Sequence, residues 1–80
     1  MYTFAISIFE ILSTGNDGGH KYLRTEIIHN GHPRKLIVFF ENKKEEDRLI
    51  QNEKIIVEGE LQDDGIQQSL LLNNARIISK

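Results

Sequence analysis

The sequence predicts an all-β fold, a small barrel of five strands with one short helix between the third and the fourth. Three observations carry that expectation. Apolar residues recur at every second position, the spacing of half-buried strands. Gly, Asn and Asp gather where those runs stop, as turns require. A chain of 80 residues leaves room for one core, so residues 1–80 should form a single domain.

Residues 2–12 begin the pattern, with Tyr2, Phe4, Ile6 and Ile8 alternating with Thr3, Ala5 and Ser7. Phe9, Ile11 and Leu12 then continue out of step, which predicts a bulge or bend in one long first strand. Residues 13–19 supply three glycines with Asn16 and Asp17 and read as a turn. The second strand, residues 21–28, sets Leu23, Thr25 and Ile27 on an apolar face against Tyr22, Arg24 and Glu26. Asn30-Gly31 is a hairpin signal and should return the chain directly into a third strand at 34–40. There Leu36, Val38 and Phe40 share one face and Ile37 and Phe39 the other, so both faces are apolar. Residues 42–51 predict the helix, with Asn42 as cap and Glu45 at the third position of a capping box. A fourth strand over 54–61 carries Gly59, a point of bulging or close approach. Asp63-Asp64-Gly65 reads as a tight acidic turn, and residues 69–78 as the last strand. This order is that of the five-stranded Greek-key OB-fold barrel, which places its helix between strands 3 and 4. An SH3-like barrel is the rival, with a shorter first strand and normally no helix there.

Composition narrows the function classes. A domain this small buries only about 60% of its unfolded surface and has no Cys to staple it, so self-association would help it. Apolar runs such as residues 36–40 fall far below the roughly 20 residues of a spanning helix, and no basic leader precedes the first strand, which makes a cytoplasmic address the expectation. The net charge of −2 argues against coating nucleic acid by bulk positive charge. Its distribution is two-sided. Residues 20–40 hold Lys21, Arg24, Arg34 and Lys35 against Glu26 alone, together with all three His, whereas residues 41–64 hold nine acids against four bases.

From Arg34 onward the chain resembles the bacterial single-stranded DNA-binding protein family. The residues that carry the likeness are Leu36-Ile37-Val38-Phe39-Phe40, the acidic helical segment, and the block running Val57-Glu58-Gly59-Glu60-Leu61. The resemblance implies an OB barrel, single-stranded DNA as partner, and Phe40 at the position of that family's stacking Phe. Departures mark a short or divergent member. The chain has no Trp, Arg34 stands where the third strand would open with an aromatic, the hairpin after strand four is short and acidic, and no acidic Gly/Pro-rich tail is present.

Single-strand binding needs bases stacked on exposed aromatics and phosphates met by bases. Tyr22 and Arg24 should face outward on strand two, with Arg34, Val38 and Phe40 sharing that surface on strand three, and Lys21 and Lys35 serving phosphates from loop-proximal ends. Phe40 has a plainer role open to it in the core or at a subunit contact, and the bases as a solvated face. His29 and His32 read as turn residues, because no Cys or nearby carboxylate completes a closed metal shell. No metal, cofactor or catalytic residue is expected. There is no Cys nucleophile or Gly-rich phosphate loop, and the carboxylates of the helix and turn look solvated. Two readings stay open: a non-enzymatic single-stranded nucleic-acid-binding protein, most simply a homo-oligomer that binds DNA, or an OB-fold assembly subunit that meets another protein and no nucleic acid.

Overall fold

The computed structural model describes residues 1–13, 20–63 and 69–79. The predicted turn from residue 14 to 19, the Asp64-Gly65 turn and Lys80 lie outside them. Six strands form, β1 (Tyr2–Ser7), β2 (Glu10–Ser13), β3 (Lys21–His29), β4 (His32–Phe40), β5 (Lys54–Asp63) and β6 (Ser69–Ser79), with one helical turn, α1 (Lys43–Glu46). They make a single sheet in the order β1-β5-β6-β4-β3-β2. Every pairing is antiparallel except the parallel one between β4 and β6.

The apolar run of residues 2–12 divides into two strands, β1 and β2, at the slip where the sequence predicts a bulge or bend. β1 pairs with β5 and β2 with β3, so the two halves lie at opposite edges of the sheet. The break falls at Ile8-Phe9, where the phase of the sequence slips. The Ile8 amide donates to the Glu53 carbonyl at 2.8 Å, and the Ile8 carbonyl accepts from the Asn52 amide at 2.9 Å. Its backbone is therefore satisfied by the segment leading into β5. Its side chain is fully buried, while Phe9 turns outward. The two edges approach each other where the Thr25 hydroxyl of β3 donates to the Ser7 carbonyl at the end of β1, 3.1 Å away. The molecule is thus nearly all-β, a six-stranded sheet curled into a half-barrel.

Alternation fills the concave side. Ile6, Ile8, Leu23, Leu36, Val38, Ile55, Val57, Leu70, Leu72, Ala75 and Ile77 form the buried core, with Phe40, Leu49 and Leu61 packed at its margin. Each large aliphatic side chain buried there contributes about 1.5–3 kcal/mol. Gly59 is the point of close approach that its position in the strand predicts. A Cβ there would lie 2.8 Å from the Asn73 carbonyl oxygen, and the β5–β6 register shifts between Glu58 and Glu60. The Asn30-Gly31 turn also forms as expected, with φ of 52° and 81° and His29 opposite His32. Both central residues at positive φ give the primed turn whose twist matches that of the strands.

The helix is shorter than residues 42–51. Asn42 caps it, its side-chain oxygen accepting from the Glu45 amide at 3.1 Å, but the helical turn ends at Glu46. Leu49 packs on the core and Ile50 is exposed. A segment with one apolar anchor has little to stabilise further turns. Tertiary bonds hold the turn in place. The Glu45 carboxylate accepts from the Ile77 amide of β6 at 2.6 Å instead of closing a capping box. Glu46, expected at a solvated face, is 1% exposed, and its carboxylate accepts from the Lys21 amide at 2.6 Å.

Candidate nucleic-acid interface

The convex surface of β3 and β4 follows from their register. Tyr22 pairs with Phe39, Arg24 with Ile37, Glu26 with Lys35 and Ile28 with Pro33. Because directly opposed residues point to the same side of a sheet, these eight side chains share one face. The intervening pairs, Leu23 with Val38 and Thr25 with Leu36, face the core. Ile37 also lies opposite Leu71 of β6, which extends the apolar strip across a third strand.

This register corrects the expected face of the third strand. Val38 is fully buried and Phe40 packs against the core, so neither joins Tyr22 and Arg24. Phe39 occupies that place. Its ring stacks on Tyr22 with centroids 5.3 Å apart and planes at 29°, and it remains 38% exposed. Arg34 has the parity of Leu36 and Val38 and thus also leaves the Tyr22 face. Its guanidinium donates to Asp63 at the end of β5, 3.2 Å away. Arg24 does face outward, as expected, and Lys35 is exposed, although within β4 rather than at a loop. Lys21 begins β3, where its amide is held by Glu46.

Electrostatically the face is balanced. Arg24 forms an ion pair with Glu10, its cross-strand neighbour on β2, at 2.6 Å, and Lys35 stands opposite Glu26. Beside them, between β1 and β3, opens a cleft of about 500 Å³ lined by Ser7, Phe9, Glu10, Arg24, Glu26 and Lys35, among others.

Behind the start of β3 lies the one strongly buried carboxylate among the described residues, Glu46. Burial raises its pKa, but the Lys21 amide, the His20 ring at 2.9 Å and the charge of Lys43 together outweigh it and hold the carboxyl below its ordinary value. The anchored group fixes the strand that carries Tyr22 and Arg24. Sequence reasoning missed this bond because the partners are 25 residues apart.

Among the described residues no three His, Cys, Asp or Glu side chains are grouped so as to hold a metal ion. No helix among them is long and apolar enough to cross a membrane. Comparison of the chain with protein-family models, with curated proteins and with solved structures gives no match.

Proposed function

We propose that this chain binds single-stranded nucleic acid, DNA in the first instance, on the convex face of β3 and β4 and without chemical reaction. One observation carries the reading: a stacked, part-exposed Tyr22–Phe39 pair flanked on the same face by Arg24 and Lys35. Unpaired bases would stack on the rings while phosphates meet the two bases. Ile37 and Leu71 would supply apolar contact beside the rings.

The same reading takes the curled sheet as an OB-type barrel. If β1 and β2 are halves of one first strand, the sheet runs from that strand through β3, β4, β6 and β5 back to it, with α1 between the third and fourth strands of the barrel. The parallel β4–β6 pair supports this path. Binding of this kind is driven by stacking more than by charge. Arg24 must exchange Glu10 for phosphate, so the salt dependence should be shallow, with a slope of about −0.7 in log–log form for each phosphate neutralised on a single strand.

The test is fluorescence anisotropy with labelled oligo-dT, an RNA of the same length and a matching duplex, at low and moderate salt. Preferential binding of the single strands, weakened by Phe39→Ala and by Tyr22→Ala, supports the reading. A folded protein that binds none of the three at low salt refutes it. One observation favours a second reading. The charge balance of the face, with Ile37 and Leu71 beside the rings and exposed Ile28 farther along β3, also suits a protein partner or another copy of the chain. Sedimentation of the free protein, followed by the Ile28→Lys variant, separates self-association from nucleic-acid binding.

A further inference from the structure

We propose that His29 and His32 form an open, two-histidine site for a divalent transition-metal ion at the tip of the β3–β4 hairpin. The H-x-x-H spacing alone supplies two ligands and no shell. The register adds that they face each other, since His29 and His32 are direct cross-strand partners. Side chains so placed rise from the same face with Cβ atoms about 4.5–5.5 Å apart. Two imidazole nitrogens each about 2.0–2.1 Å from one zinc ion lie about 3 Å apart, a separation that rotation about the side-chain bonds can reach from that base.

The backbone between them is set in advance. Asn30 and Gly31, both at positive φ, make a two-residue turn that fixes the register before any ion arrives. Access is also provided, because His32 is exposed and His29 half-buried, so water can fill the remaining coordination positions. On that face Arg34 follows two residues beyond His32, and its guanidinium is engaged by Asp63 at 3.2 Å. Imidazole pairs suit Zn(II), Ni(II) and Cu(II), with affinity rising toward Cu(II). Each ring coordinates through the lone pair of a ring nitrogen, so protons compete with the ion for the site. His20 provides an internal reference. Its Nδ1 lies 2.9 Å from the Glu46 carboxylate, away from the hairpin tip.

The probe is zinc chloride added to the wild-type protein in a non-chelating buffer near neutral pH, followed by NMR of the histidine ring protons. The expected result is that the His29 and His32 signals move together to one saturating endpoint while His20 stays in place. His29→Asn and His32→Asn should each lower the affinity about tenfold or more, at least the effect of removing a supporting outer-shell group. If no ring moves, if only one of the two moves, or if both single variants keep wild-type affinity, the proposal is overturned. The wild-type titration decides the matter even if a variant folds poorly, and circular dichroism reports whether it does.

Discussion

Adjacent phenylalanines on β4 offer the most decisive perturbation, because Phe39 and Phe40 point to opposite sides of the same strand. Phe39→Ala removes a ring that stacks on Tyr22 at 5.3 Å and is 38% exposed. One lost base stack corresponds to about 1–3 kcal/mol of binding free energy, or roughly a five- to hundredfold weaker complex at about 1.4 kcal/mol per decade. The stability cost should be small, about 1 kcal/mol for the aromatic pair. Phe40→Ala acts on the core margin instead. A fully buried Phe truncated to Ala costs about 3–5 kcal/mol. Half-burial reduces this to about 2 kcal/mol, which in a domain of this size lowers the melting midpoint by about 8–16 °C. The assay is oligo-dT anisotropy well below both midpoints, paired with thermal unfolding. Phe39→Ala should lose affinity with a midpoint lowered by about 4–8 °C, and Phe40→Ala should keep its affinity with about twice that loss of midpoint. If Phe40→Ala abolishes binding in folded protein while Phe39→Ala binds normally, the assignment of the stacking ring is wrong, and with it the face that the proposal uses.

The buried carboxylate gives a pH prediction. Glu46 has its pKa held below the ordinary value in the folded state, so its contribution is complete above the unfolded pKa and is lost as pH falls through the folded one. Glu46→Gln should cost about 1.5–3 kcal/mol at neutral pH, the scale of a hydrogen bond to a charged group, and should flatten the acid limb of a stability–pH curve measured by urea unfolding. Identical acid limbs for variant and wild type would count against it. Glu10→Gln releases Arg24 from its 2.6 Å ion pair. Single-strand affinity should then rise at low salt and the salt slope steepen by about 0.7, whereas unchanged slopes in anisotropy would show that Arg24 does not meet phosphate. Gly59→Ala places a methyl group 2.8 Å from the Asn73 carbonyl oxygen. Overpacking of this kind costs about 1–3 kcal/mol, visible as a lower urea midpoint with an unchanged slope, and a variant as stable as wild type would mean that the β5–β6 pair moves apart freely.

Much of the sheet was legible because its signals are local. Period-two alternation located β3, β4, β5 and β6 to within a few residues, and Asn30-Gly31 located the hairpin. The phase slip at Ile8-Phe9 was visible too, but alternation cannot tell a bulge inside one strand from a corner between two. The corner forms because the Glu53 carbonyl and Asn52 amide, far along the chain, take over the backbone bonds of Ile8. The burial of Glu46 was illegible for the same reason. An acidic residue in a charged helical turn looks solvated until the amide of Lys21 and the ring of His20 converge on it from another strand.

The misplaced face of β4 is a different kind of miss, since the needed signal was present. A two-residue turn at Asn30-Gly31 makes residues equidistant from it face one another, which pairs Tyr22 with Phe39, Arg24 with Ile37 and Leu23 with Val38. Once Leu23 is taken as core, Val38 must be core as well, and Phe40 follows it by alternation. Family likeness pointed to Phe40, and pattern alone allowed either face because both are apolar. Register decides between them, and it also decides the electrostatics. The same pairing that brings Arg24 and Lys35 beside the aromatic rings sets Glu10 and Glu26 opposite them. A basic segment in the sequence thereby becomes a neutral face in the fold, and any nucleic acid bound there must be held chiefly by stacking.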